Sequence, residues 1–247
     1  MSEIQIIFIG SGDAFASGGK LTTCFHVSSS DKSLLIDCGG AALVGLKKEE
    51  IDLNSIETIF ISHFHGDHFG GLPFFILDAH LIQDRQKPLT IVGPEGLQER
   101  VVQLMEAMFK GSSSLPFKFE LRFIELEDYK ESVINEIKTT YYPVVHSPES
   151  NPHGLKITIQ DKVVAYSGDT EWTDALIDLA RGSDLFIVEC FNFSGDLRFH
   201  MNYQLLAEKS KLLESRKVML THLGPDMLEQ QELQFDVCQD GQSLIIG

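Results

Sequence analysis

A chain of 247 residues, 43% hydrophobic and 23% charged, is long enough to bury a sizeable core and too apolar for global disorder. Its formal net charge is −16, and no run of Lys or Arg exceeds Lys47-Lys48. Extended nucleic acid, which calls for a basic face, is therefore disfavoured as a partner, while small anionic substrates stay open. No apolar run approaches the roughly 18–20 residues of a membrane span.

The N-terminus, Met1-Ser2-Glu3-Ile4, lacks the basic start and apolar stretch of a signal peptide, so a cytoplasmic location is expected. Short runs rich in Ile, Val and Phe, each bounded by Gly, Asp or Pro, predict strands over 4–9, 34–36, 59–62, 89–92, 119–124, 137–143, 155–159, 163–167, 185–189 and 218–221. Helical patterns lie between some of them, over 72–83, 94–110, 173–181 and 202–215. In the second, Pro94 sits near the first turn and Leu97, Val101, Leu104, Met105 and Met108 form an apolar stripe, which reads as core. Residues 111–116 read as a flexible surface loop. No repeat, low-complexity tract or linker divides the chain, so residues 1–247 are expected to form one domain. Strands cluster and then alternate with helices in both halves, which fits an α/β fold of two sheets packed face to face with helices outside.

Four cysteines, Cys24, Cys38, Cys190 and Cys238, are scattered without a Cys-x-x-Cys pair and are expected to be reduced and mostly buried. The most informative segment is His63-Phe64-His65-Gly66-Asp67-His68, just beyond the apolar run Ile59-Phe60-Ile61. Four of its six side chains can ligate a metal, and imidazole with carboxylate suits zinc or another first-row divalent ion. Further candidates follow other predicted strands: His146 after the run ending at Val145, Asp169 after Ser167-Gly168, and His222 after Thr221. Two ions a few ångströms apart need about six or seven ligands, one carboxylate bridging them. His63, His65, Asp67, His68, His146, Asp169 and His222 meet that need.

The series His-x-His-x-Asp-His, a later His, Ser167-Gly168-Asp169-Thr170 and Thr221-His222 resembles that of metallo-β-lactamase-fold hydrolases. Ile9-Gly10-Ser11-Gly12-Asp13 and Leu35-Ile36-Asp37-Cys38-Gly39 are similar to that family's early strands and turns, so the resemblance spans nearly the whole chain. It implies a four-layer αββα sandwich with two divalent metal ions at the shared edge of the sheets. One ion would take His63, His65 and His146, and the other Asp67, His68 and His222, with Asp169 bridging. Zinc is the expected metal, with manganese or iron as alternatives, and a hydroxide held between the ions would be the nucleophile.

Glu189, at the end of one predicted strand, and His200 resemble the pair of the ribonuclease Z-like phosphodiesterase branch. The resemblance makes His200 the general acid or phosphate contact, oriented by Glu189, and gives Asp67 a second role as proton acceptor. It also implies a homodimer. The sequence departs from ribonuclease Z in having nothing between Gly96 and Tyr141 that resembles the long transfer-RNA exosite. It has only a short stretch between His146 and Asp169, and Met201 follows His200 where a hydroxyl residue is usual. A small phosphodiester of nucleotide type, such as a cyclic nucleotide, is the expected substrate. Alternatives are a carboxylic ester, thioester or lactam hydrolase of the same fold, a transfer-RNA 3′ processing endonuclease, and a non-catalytic metal-binding module.

The remaining histidines read differently. His26 is structural within an apolar-flanked strand, and His80 is a packed or exposed helical residue. His153, among turn-forming neighbours, is a surface loop residue or a substrate contact. Trp172 is buried against the sheet or lines the pocket.

Overall fold

The computed structural model describes residues 3–195 and 197–247, so the Met1-Ser2 start read above lies outside the described residues. In chain order the strands are β1 (Ile4–Gly10), β2 (Cys24–Ser28), β3 (Ser33–Ile36), β4 (Thr58–Phe60), β5 (Leu89–Gly93), β6 (Leu121–Glu125) and β7 (Ser132–Ile134), then β8 (Ile137–Pro143), β9 (His153–Ile159), β10 (Lys162–Tyr166), β11 (Leu185–Glu189), β12 (Val218–Thr221), β13 (Asp236–Val237) and β14 (Ser243–Ile246). The helices are α1 (Ala42–Lys48), α2 (Gly66–Phe69), α3 (Leu72–Leu81), α4 (Leu97–Met108), α5 (Ala175–Ala180), α6 (Tyr203–Lys209) and α7 (Pro225–Leu228). One sheet runs β14-β1-β2-β3-β4-β5-β6 and the other β13-β12-β11-β10-β9-β8-β7.

The alternation of side chains along each strand builds the layers. In β11, Leu185 and Ile187 face the other sheet, while Phe186 and Val188 face helices. In β4 and just beyond it, Phe60 faces inward and Ile59 and Ile61 outward. The inner core packs Ile6, Phe8, Phe25, Phe60 and Val92 against Tyr141, Ile157, Val164, Tyr166 and Ile187. A second core holds Ile59, Ile61 and Ile91 against Leu46, Phe75, Ile76, Val101 and Met105 of α1, α3 and α4. A third holds Phe186, Val188 and Leu220 against Leu176, Leu179 and Leu206 of α5 and α6. Three cores between four layers make the αββα sandwich. Each fully buried large apolar side chain contributes about 1.5–3 kcal/mol to it.

Ladders within the sheets set strand direction. β3 to β6 run parallel, as do β10 to β13, and β8 and β1 are aligned with them through two antiparallel steps each. The strands β1, β3, β4, β8, β10, β11 and β12 therefore point their carboxyl ends the same way within each sheet. In open α/β sheets that is where ligands gather.

Several expectations need correction. α4 starts at Leu97 rather than Pro94, because Gly96 at φ 90° breaks the helical path and Pro94 sits in the preceding turn, its carbonyl accepting from Leu97 N at 3.2 Å. Met108 is 39% exposed, so the stripe ends before it. Within 111–116, a 3-10 turn over Ser112–Ser114 buries Ser112 beneath the end of α4. The helix predicted over 202–215 ends at Lys209 and continues as a 3-10 turn over Ser210–Leu212. His153 is not a loop residue: it opens β9, is 4% exposed, and bonds Asp128 Oδ1 through Nε2 at 3.0 Å. Strands β7, β13 and β14 and helices α1 and α7 lie outside the predicted spans. All four cysteines are free and buried. Among the described residues, no helix is long and apolar enough to cross a membrane.

Candidate metal centre

The candidate ligands all stand beyond carboxyl ends of strands. His63 follows β4, after Ile61 N makes a last ladder bond to Val92 O at 2.8 Å and the chain leaves the sheet. His65 is extended and caps the short α2, its carbonyl accepting from the amides of His68 at 2.9 Å and Phe69 at 3.0 Å. Within the hexapeptide, α2 carries Asp67 and His68. The turn after β3 cradles it. Cys38 N donates to His68 O at 2.7 Å, Gly71 N donates to Cys38 O at 2.8 Å, and a Cβ on Gly39 would lie 2.1 Å from Asp67 O. His146 lies beyond β8, Asp169 beyond β10 and His222 beyond β12, the last with φ 58°.

The fold brings all seven residues together in two groups. His63, His65, His146 and Asp169 form one; Asp67, His68, Asp169 and His222 form the other. In the first, His146 Nε2 lies 3.1 Å from His65 Nδ1 and 3.9 Å from Asp169 Oδ2, and His63 Nε2 lies 3.8 Å from the same oxygen. In the second, Asp67 Oδ2 lies 3.1 Å from His68 Nε2 and 3.2 Å from His222 Nε2. Asp169 reaches this group too, 3.3 Å from both nitrogens. It belongs to both groups, which is the position a bridging carboxylate requires.

Outer contacts fix which nitrogen of His63, His68 and His146 faces inward. Buried Asp37 accepts from His68 Nδ1 at 2.7 Å and from the amide and hydroxyl of Ser62 at 2.7 and 2.8 Å. Ser62 Oγ in turn accepts from His63 Nδ1 at 3.0 Å. The Phe199 carbonyl accepts from His146 Nδ1 at 2.7 Å. Each bond leaves Nε2 as the nitrogen turned toward the cluster. Asp37, with φ 58°, is a buried support of the candidate ligands that the sequence reading did not single out. Its position just past the end of β3 was the available signal, since His63, His146, Asp169 and His222 also follow strand ends.

The donor set fits divalent cations. His63 Nε2, His68 Nε2 and Asp169 Oδ1 are buried without a hydrogen-bond partner, an arrangement that costs stability unless something else takes those atoms. Burial opposes charge on Asp67 and Asp169, but His68 and His222 outweigh it and hold both carboxyls below the usual range. In return, and again against burial, the carboxylates hold His68 well above its ordinary value and lift His222 to about 9. Burial pushes His146 down to about 4. The protein alone thus balances two buried carboxylates with protons on two imidazoles. A divalent cation would replace those protons and free the nitrogens to ligate.

Beside the groups, His200 Nδ1 donates to Glu189 Oε1 at 2.9 Å. Glu189 is fully buried, and the same oxygen accepts from Thr170 N at 2.7 Å. Burial works against a charge on His200, yet the Glu189 carboxylate outweighs it and holds the imidazole above its ordinary value. The His200 ring stacks on His222 with centroids 5.6 Å apart and meets His146 edge-on at 4.9 Å. A cavity of about 370 Å³, lined in part by Trp172, Arg198 and His200, opens beside it. Trp172 is half-buried, packing against the third core on one side and lining this cavity on another. His26 lies in β2, its Nε2 at 2.8 Å from Ser33 Oγ, and His80 packs on Phe117 from α3, both outside the cluster.

Two seven-stranded sheets flanked by helices, with clustered His and Asp at one shared edge, define a metal-dependent hydrolase of the metallo-β-lactamase fold. The metallo-β-lactamase fold protein YhfI from Bacillus subtilis superposes with a TM-score of 0.76 at 21% identity, over 98% of this chain and 99% of that one. Human tRNase Z, short form, gives a TM-score of 0.76 at 23% identity, over 97% and 98%. A curated relative named Ribonuclease Z, from Lachnospira eligens, is 27% identical over 93% of this chain and 90% of its own length. Residues 4–242 match the family described as Anti-Pycsar protein Apyc1, and the chain belongs to that family.

Proposed function

We propose that the protein is a dinuclear metal-dependent phosphodiesterase acting on a small, nucleotide-type phosphodiester. The observation that carries this reading is the His200–Glu189 pair, 2.9 Å apart, set against both groups of candidate ligands. His63, His65 and His146 would hold one ion, Asp67, His68 and His222 the other, and Asp169 both. Bound zinc, or manganese or iron, would polarise the phosphate and lower the pKa of attacking water. Glu189 keeps Nδ1 of His200 engaged, so Nε2 is the atom left to donate a proton to the departing oxygen. The Asp67 carboxylate, held ionised, accepts the proton of the attacking water.

The choice of a small substrate rests on charge and length. A surface with net charge −16 offers no broad footprint for a polyanion. The alignment with the Lachnospira relative spans 281 positions, more than the 247 residues of this chain, so that relative carries stretches absent here. A second reading, transfer-RNA 3′ processing, is favoured by the names of that relative and of the human structure. Metal analysis of native protein, followed by turnover with bis-p-nitrophenyl phosphate, cyclic nucleotides, precursor transfer RNA, a thioester and nitrocefin, separates these readings. Cleavage of the small phosphodiesters that disappears on chelation and returns with zinc or manganese is expected. Turnover confined to the thioester or nitrocefin would sink the proposal, and efficient trimming of the precursor would install the second reading.

A further inference from the structure

The chain leaves β11 at Glu189 and returns beside the metal centre in a four-residue turn from Leu197 to His200. His200 N closes the turn by donating to Leu197 O at 3.2 Å. Phe199, third in the turn, has φ 76°, the largest positive value of any described non-glycine residue. A turn with positive φ at that position ordinarily carries glycine or asparagine, because a Cβ crowds the backbone there. For a bulky side chain the conformation is an outlier, and strain of this kind persists only where surrounding contacts hold it.

Contacts hold it on both sides. The Phe199 carbonyl accepts from His146 Nδ1 at 2.7 Å, and the Phe199 ring meets that imidazole edge-on with centroids 5.8 Å apart. The Arg198 guanidinium lies 4.3 Å from the centroid of the same ring. His200 is pinned by its Nδ1 bond to Glu189 at 2.9 Å and by the Phe191 ring, whose centroid is 5.0 Å from its own. Met201 is fully buried in the third core, and its carbonyl accepts from Phe191 N at 3.0 Å. The peptide joining residues 199 and 200 therefore meets the metal centre through its carbonyl and carries His200 on its other end. The torsions of Phe199 set the plane of that peptide, so one backbone conformation aims both. A negative φ would turn the carbonyl away from His146 and shift His200 with it.

We propose that Phe199 is a positioning residue whose left-handed backbone ties the aim of His146 at the first ligand group to the placement of His200. This rests on the phosphodiesterase reading for the role of His200. It adds that the working group of residue 199 is its carbonyl and not its ring. The metal-holding and proton-donating parts of the site are then joined through a single peptide, and disturbing its conformation disturbs both.

Three substitutions separate backbone from side chain. Phe199→Asn, Phe199→Ala and Phe199→Val all remove the ring, but asparagine tolerates positive φ, alanine less so, and β-branched valine least. Phe199→Val should weaken metal binding about 10-fold or more in competition with a chromophoric chelator, as loss of ligand support does. With metal restored to saturation, its kcat on bis-p-nitrophenyl phosphate should still fall, by about 100-fold, with KM little changed. Phe199→Asn should recover most of both losses, and Phe199→Ala should fall between. Equal impairment in Phe199→Asn and Phe199→Val would assign the role to the ring, and a Phe199→Val protein that matches wild type would leave the conformation without one. Either result overturns the proposal. So does weakened metal binding with kcat intact at saturating metal, since the two effects would then be uncoupled. If Phe199→Val fails to fold, judged by melting of the metal-free protein, the order of Phe199→Asn over Phe199→Ala decides. If the unaltered protein cleaves no phosphodiester, the phosphodiesterase reading fails, and the order of metal affinities alone decides whether the carbonyl aims His146.

Discussion

His200 shows how much of one residue's chemistry comes from its neighbours. A lone imidazole past a strand carries no role, but a fully buried carboxylate at 2.9 Å fixes which nitrogen is occupied and favours the protonated form. His200→Ala should lower phosphodiester turnover about 100-fold or more, the range of general-acid contributions, with metal content and melting temperature unchanged. Full turnover in a metal-replete variant would remove His200 from the mechanism. A different histidine governs stability. Burial pushes His26 in β2 down to about 4, against an unfolded value of about 6.5. Between those values the unfolded chain binds a proton that the folded chain refuses. Stability from this residue is therefore intact above pH 6.5 and falls as pH drops through the window, by up to about 3 kcal/mol at its lower end. Urea midpoints of wild type and His26→Gln at pH 7.5 and 4.5 check this: the difference between the two proteins should shift toward the variant at the lower pH. A constant difference would contradict it.

At the scale of elements, the segments with dense Ile, Val and Phe were the legible ones. β11 and β12 occupy the predicted spans because nearly all of each is buried on both faces, which leaves a continuous apolar run in the sequence, whereas β8 alternates, with Ile137, Thr139 and Tyr141 buried and Lys138 exposed. Edge elements escaped, since β13 has two residues and β7 exposes Val133, so neither leaves a pattern. His153 misled because Pro152 and Asn151 suggest a turn, whereas the chain re-enters the sheet immediately after them, with His153 N donating to Ser62 O at 3.1 Å. The ligand types were legible from spacing, but their support was not. Asp37 acts through tertiary contacts with His68 and Ser62, residues 31 and 25 positions away, which no local pattern encodes. The packing of the β3 turn on α2 yields its own prediction. A methyl group on Gly39 would collide with the carbonyl of Asp67, a backbone atom that cannot swing aside. Gly39→Ala should displace α2, lower metal affinity about 10-fold or more, as loss of ligand support does, and be detected by competition with a chromophoric chelator. Unaltered affinity would mean the turn yields without moving Asp67.

For the whole molecule, the sheets contribute unequally to the cluster. His63, His65, Asp67 and His68 come from the β1-to-β6 side, and His146, Asp169 and His222 from the β7-to-β13 side. Ions bound there would join the two halves of the sandwich at one edge. Metal that binds only the folded state adds stability by mass action, about 2.7 kcal/mol at a hundredfold excess over Kd. Chelation should accordingly lower the melting temperature by several degrees, and zinc or manganese should restore it. Equal melting with and without chelator would show that the cluster holds no ion in the native protein.

The spread of the ligands from His63 to His222 has a consequence for biogenesis. During synthesis the hexapeptide emerges first, and its partners at 146, 169 and 222 follow well after it. A nascent chain halted before β12 lacks His222 and the strand that aims it, so it can present only part of the second group. High-affinity metal capture thus becomes a checkpoint that the growing chain passes only once it has been made through His222.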